Sequence, residues 1–137
     1  MLQRGGEIRV AIVPNTTRAT LQAGIRENVE KGSAVYSDAL RSYSGLDDEY
    51  IHEVVDHTEK YVHGQVHVNG VENFWSLLKR GLNGTYVSVQ PFHLFRYLDE
   101  RMFTYNERKL TDLDRFLVVL GTAAGRRLTY TELTGKA

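Results

Sequence analysis

EIRVAIVPNTTRATLQAGIRENVEKGSAVYSD, residues 7–38, is the stretch that decides the fold class. In Glu7–Pro14, Ile8, Val10 and Ile12 alternate with other residues, the period-two pattern of a strand, and Pro14 stops it. Asn15 and Thr16 then offer N-caps to a helix through Asn28. Leu21, Ile25 and Val29 lie four apart on one of its faces, and Gly32 ends the segment. Ala34-Val35-Tyr36 reads as a short buried strand that stops at Ser37-Asp38. Strand, helix and strand with so long a crossover imply a parallel pair joined by a right-handed connection. Working outward, Ala39–Tyr43 reads as a helical turn, Ser44–Asp48 as a loop and Tyr50–His57 as a third strand.

The second half is helical in pattern. Val71, Phe74, Trp75 and Leu78 form the i, i+3, i+4, i+7 stripe of a packed helix from Val68 to Leu82, closed by Gly81 and Gly84. Pro91 suits the first turn of the next helix, which runs to Arg108 with Phe95, Leu98, Met102 and Tyr105 inward. Thr111 or Asp112 caps a last helix with Leu113, Phe116, Leu117 and Leu120 on one side. The tail from Gly125 is expected to be loose apart from a turn at Thr129–Leu133. The fold class is α/β: a small sheet with packed helices and no boundary signal between domains.

Composition narrows the function classes. With 42% hydrophobic and 25% charged residues the 137-residue chain is an ordinary globular protein, able to bury a modest core. It has no cysteine, so thiolate metal sites and thiol nucleophiles are excluded, and a cytoplasmic setting is expected. No stretch approaches the apolar length of a membrane span. Formal net charge is zero, so any contact with DNA must come from a local basic patch.

The chemistry-bearing residues each have two readings. Asp38 follows the C-terminal end of a buried strand, where open α/β sheets place ligands, yet Ser-Asp at that point also caps turns. Glu72, Ser76 and Lys79 share a stripe beside the apolar one, so Glu72 could face Asp38. Asn69 and Glu72 equally match a capping box. Two facing carboxylates supply the oxygen ligands that Mg²⁺ prefers, although two-ion phosphoryl transfer generally uses a third. Asp47, Asp48 and Asp56 read as turn or surface residues. His57, His63 and His67 cluster without a regular zinc spacing, which favours hydrogen bonding or phosphate contact. No Ser-His-Asp arrangement or phosphate loop stands out. Lys79-Arg80 ahead of Gly81–Tyr86 suits a phosphate backbone as well as it suits a helix C-terminus.

Several stretches together resemble the ISXO-type DDE transposase domain of insertion sequences. They are Arg18–Leu21 with Ile25–Val29, Val35–Asp38 with Tyr43, Val66-His67 with Asn69, and above all Glu72-Asn73 followed by Phe74–Gly81 (FWSLLKRG). Gly84–Tyr86, His93-Leu94, Arg96–Glu100 and Phe103–Asn106 extend the likeness, which runs from Met1 to Lys109. The resemblance implies a truncated RNase H-like (integrase-like) fold, with residues 1–110 a partial catalytic domain and 111–137 its C-terminal helix and tail. It implies that Asp38 and Glu72 are the second and third catalytic, metal-binding acids for Mg²⁺ or Mn²⁺. It implies that Lys79, Arg80, His67 and Asn69 contact DNA. The implied activity is metal-dependent DNA cleavage and strand transfer, on transposon ends and target DNA, by a nucleoid-associated enzyme with a possible homo-oligomeric state.

There are two departures from the family pattern. The strand carrying the first catalytic aspartate is expected to be missing, which would leave this chain inactive alone. Asp56-His57 stands where Asn-His is more usual. The competing readings are a non-catalytic DNA-binding or dimerisation remnant of a transposase and an incomplete gene product.

Overall fold

The computed structural model describes residues 1–55, 69–86 and 88–135. It is a mixed helix and strand structure that divides into two units, residues 11–73 and residues 1–10 with 74–137.

The first unit is built on a parallel strand pair. Helix α1 (Arg18–Asn28) leads through a turn at Gly32, whose φ of 81° suits glycine, into β1 (Ala34–Ser37). A crossover with a short 3₁₀ turn, Arg41–Tyr43, returns the chain to β2 (Ile51–Val54). The strands run parallel with Ala34 opposite Ile51 and Ser37 opposite Val54. Ile25, Leu46 and Tyr50 are the core, with Val29, Val35 and Tyr43 against them. Gln22 is buried and donates its amide to the carbonyls of Ser42 (3.2 Å) and Ser44 (2.9 Å), which fixes the crossover to α1. Such a buried amide is retained because both acceptors would otherwise lose their partner.

The helix expected after Asn15 and Thr16 begins one residue later, with Thr17 at the N-cap. Asn15 still organises that entry, because its Oδ1 accepts from the Thr17 amide and from the hydroxyls of Thr17 and Thr20.

The strand expected at Glu7–Pro14 does not form. Leu2 and Ile8 make a single antiparallel bridge around a turn at Gly5, and β1 pairs with β2 instead. The alternation reported burial correctly for Ile8 and Val10, but Ile12 and Val13 are exposed. Backbone pairing explains the difference. Asn106 receives the Ile8 N–H on Oδ1 (2.7 Å) and donates Nδ2–H to the Ile8 carbonyl (3.0 Å), so a side-chain amide does what a neighbouring strand would do.

The second unit packs helices around one aromatic ring. α2 (Asn69–Arg80) contributes Phe74 and Leu78, and α3 (Leu94–Asn106) contributes Leu98. With Ile8 these four are the buried core, and Met102 and Tyr105 pack beside them. Phe74 meets Tyr105 edge to face at 5.5 Å. Trp75 and Phe95, both expected to point inward, are exposed. Trp75 follows buried Phe74 and Phe95 follows partly buried Leu94, so each lies at the edge of the stripe. Between α2 and α3 the chain makes a π-helical turn, Gly81–Thr85, and a 3₁₀ turn, Pro91–His93. α4 (Asp112–Ala123) is capped by Thr111, whose hydroxyl oxygen accepts from the Asp114 amide. The turn expected at Thr129–Leu133 forms as α5 (Tyr130–Thr134), with a full capping box between Thr129 and Glu132.

Phe74→Ala should cost about 3–5 kcal/mol by opening a cavity in the second unit, whereas Phe95→Ala should cost under about 1 kcal/mol. Asn106→Ala should cost about 1–3 kcal/mol by leaving both Ile8 peptide groups unpaired. Urea unfolding of the three variants checks this ranking.

A pH dependence is expected in the first unit. Glu49 accepts from Lys31 (2.9 Å) and Arg26 (2.6 Å), and the Lys31 and then Arg26 hydrogen bonds hold its carboxyl below the ordinary glutamate value. A depressed carboxyl stabilises the fold above its unfolded value, and that stability is lost as pH falls through the folded one. Glu49→Gln should flatten the acid limb of a thermal-unfolding series.

Candidate functional site

The C-terminal edge of β1 brings together more than its sequence suggested. Asp38 is exposed just beyond the strand, and its Oδ1 accepts the Leu40 amide at 3.3 Å. The turn-capping alternative for Asp38 is therefore present, and it engages one carboxylate oxygen. Burial, and then the nearby Asp38 carboxylate, push the Tyr43 phenol above its usual value. Tyr43 accordingly stays protonated beside that acid.

Behind Asp38 lies an arrangement that linear spacing did not reveal. Ser37 Oγ is 2.8 Å from His52 Nε2, and His52 Nδ1 is 3.7 Å from Asp47 Oδ1. His52 is nearly buried, with its side chain 4% exposed. Serine, histidine and aspartate in this order invite comparison with a nucleophilic triad. Ser37 Oγ also lies 3.0 Å from the Asp38 carbonyl, and if its single proton goes there, His52 Nε2–H is the donor to Oγ. In that arrangement the ring nitrogen holds its own proton and cannot take one from Ser37. The Asp47 carboxylate, at 3.7 Å, is also too far to orient the ring by a direct hydrogen bond. The chain of contacts holds the backbone on which Asp38 sits.

Sheet register is the signal that could have found His52. Val35 lies opposite His52 in the parallel pair, so Val35, Ser37 and His52 face the same side. A shallow groove of about 290 Å³ opens there, lined by Leu40, Arg41, Ser44, Asp47, His52 and Val54 among others.

Glu72 is exposed on the first turn of α2, and Lys79 and Arg80 are exposed on its last. The cations stand where a helix dipole favours them. Gly81 follows, and a side chain there would come within 2.9 Å of the Arg101 guanidinium. Arg101 lies over the Tyr86 ring at 5.0 Å, and the Tyr86 hydroxyl donates to Glu100 at 2.7 Å. The turn after Lys79-Arg80 is thus seated on α3 through Tyr86 and Arg101, neither of which the spacing of charges had marked as a pair. Burial, followed by the Glu100 hydrogen bond, raises the Tyr86 phenol and keeps it a donor.

Asp56, His57, His63 and His67 lie outside the described residues, as does the Asn69 side chain, so the Asn69–Glu72 capping box does too. Among the described residues no three histidine or carboxylate side chains gather into a metal-holding group. Asp47 and Asp48 are exposed as expected, and Asp47 in addition faces His52.

The model of the ISXO2-like transposase domain matches residues 1–106. The chain belongs to that family. An uncharacterized transposase-like protein of Haemophilus influenzae is 33% identical over 105 residues, covering 76% of this chain and 85% of that protein. An uncharacterized protein in transposable element ISH50 of Halobacterium salinarum is 33% identical over 81 residues, 57% of this chain and 28% of that protein. No solved structure matches the chain. Within this transposase domain Asp38, Glu72, Lys79 and Arg80 all fall inside the matched residues. No described helix is long and apolar enough to cross a membrane.

Long-range ¹⁵N–¹H spectra at neutral pH should show the His52 ring protonated at Nε2. Ser37→Ala should perturb that signal together with the Asp38 amide. An Nδ1–H tautomer would contradict the proton assignment.

Proposed function

We propose that this chain is the C-terminal portion of a DDE-type transposase catalytic domain with an RNase H-like fold. In the intact enzyme it takes part in divalent-metal-dependent DNA cleavage and strand transfer. The observation that carries the reading is the position of Asp38. It is an exposed acid at the C-terminal end of a parallel strand, in a chain of the transposase family, with a second exposed acid at Glu72. Ligands of open α/β sheets collect at that edge.

Carboxylate oxygens are the donors that Mg²⁺ or Mn²⁺ prefers, so the chemistry of Asp38 and Glu72 fits such an ion. When bound, the ions polarise the phosphodiester and lower the pKa of an attacking water or hydroxyl. The side chains of this chain do the holding. Asp38 keeps one oxygen on the Leu40 amide, which limits its rotamers and leaves its other oxygen free to hold an ion. Ser37 and His52 fix the peptide beneath it. Lys79 and Arg80 grip phosphates, with His67 and Asn69 proposed as further DNA contacts. The third oxygen ligand used in two-ion transfer is assigned, from the family resemblance, to an aspartate on a strand that precedes these residues in the intact enzyme.

In this reading the 137-residue chain binds DNA weakly and does not cleave it with Mg²⁺ or Mn²⁺, because three acids hold the ions for in-line attack while cations alone drive binding. A longer protein supplying the aspartate strand should nick transposon ends. Asp38→Asn and Glu72→Gln should abolish that nicking. Lys79→Ala should instead weaken DNA binding and reduce its salt slope by about one. Robust cleavage by the 137-residue chain that survives Asp38→Asn would refute the assignment.

A further inference from the structure

Helix α4 has an apolar stripe that is built like a core face and lies in solvent. Leu113, Phe116, Leu117 and Leu120 recur at i, i+3, i+4 and i+7, and they are 65, 60, 53 and 55% exposed. The helix is no loose tail. Thr111 caps its start, and the chain beyond it is tied back to α3, where Arg96 Nη2 donates to the Glu132 carbonyl at 2.6 Å. α4 also lies beyond the residues matched by the transposase family, so what covers the stripe is a separate question from the catalytic reading.

Charge placement at the two ends of the stripe says what fits it. Asp112 and Asp114 flank it on either side at the N-terminal end, and Arg126 and Arg127 follow just past the C-terminal end, all four exposed. A copy of the helix laid parallel would oppose acid to acid and base to base. Laid antiparallel, each acidic end meets the basic end of the other helix and the two helix dipoles also oppose. Asp112 already pairs with Arg115, and Asp114 accepts from the Thr111 hydroxyl, so these charges orient the pair while the apolar stripe drives it.

We infer that α4 is a self-association surface that pairs antiparallel with α4 of a second copy of this chain. A two-fold axis near Phe116 and Leu117 sets Leu113 of one copy against Leu120 of the other, and the reverse, as an isologous contact requires. Four side chains of this size, each a little over half exposed, present on the order of 500 Å² per copy. The pair then buries on the order of 1,000 Å², the lower range for a specific interface.

The test is sedimentation equilibrium of the full chain over a wide concentration range, with cysteine cross-linking to read orientation. A reversible dimer is expected, and Leu117→Glu should raise its dissociation constant by about a hundredfold or more, as loss of a central contact does. Because Leu117 is exposed, the circular dichroism of the monomer should be unchanged. The chain has no native cysteine, so introduced ones report cleanly. Leu113→Cys mixed with Leu120→Cys should form a disulfide-linked pair, while neither variant alone should link to itself. A chain that stays monomeric throughout, or a dimer indifferent to Leu117→Glu, overturns the inference. So does self-linking of each single-cysteine variant, which would mark a parallel pair. A monomer whose DNA affinity drops with Leu117→Glu would place DNA, and no second copy, on the stripe.

Discussion

The Phe74 ring anchors the second unit. It is 2% exposed, packs with Ile8, Leu78 and Leu98, and takes the edge of Tyr105. The exposure of Lys79 and Arg80 at the end of α2 follows from that contact, because a helix has only one rotation that buries Phe74 and Leu78 together. With that rotation set, the 3.6-residue period brings Lys79 and Arg80 to the exposed side of the last turn. Gly81 then ends the regular helix where the Arg101 guanidinium needs room. The same core explains the chain's N-terminal residues. Ile8 is driven inward, and its peptide groups accept the Asn106 amide as partner because burial without one would be costly.

In the first unit the equivalent constraint is the scarcity of protons at the end of β1. Ser37 Oγ is within hydrogen-bond distance of both the Asp38 carbonyl and His52 Nε2, and a proton given to the carbonyl would leave His52 the donor's role. A nearly buried imidazole is thereby locked to one orientation between the strands. Its effect on Asp38 is mechanical: the carbonyl is held, so the side chain leaves the strand in a set direction, and the Leu40 amide limits it further.

Helix positions were legible because apolar period and caps act within a few residues. Phe74, Leu78 and Leu98 were expected inside and are there, and Thr111 was among the expected caps. β1 and β2 were also recognisable as strands, but which strand pairs with which was not. Pairing depends on partners distant in the chain, and the Glu7–Pro14 alternation carried no sign that Asn106 would take Ile8's hydrogen bonds. Trp75 and Phe95 show a second limit: a stripe gives the centre of a buried face better than its edges. Asp38 could be singled out by its place after a strand, whereas Ser37 and His52 required the register of a pair separated by the whole crossover.

Zero net charge and the DNA contact proposed for Lys79 and Arg80 are compatible because several of the acids are engaged locally. Glu49 is held between Arg26 and Lys31, Glu100 accepts from Tyr86, Glu132 closes the Thr129 capping box, and Asp112 pairs with Arg115. The Asp112–Arg115 pair and Glu49 with its two cations present no net negative charge from a Debye length away, about 8–10 Å at ordinary salt, whereas Glu100 and Glu132, bonded to hydroxyls, keep theirs. What a phosphate backbone meets is the unbalanced remainder at close range. On α2 that remainder is two adjacent exposed cations at a helix terminus, followed by a turn braced by Tyr86 and Arg101. The local field, and not the sum over the chain, decides whether such a surface attracts nucleic acid, and adjacent cations on a braced turn lose less side-chain freedom on contact than cations on a loose one.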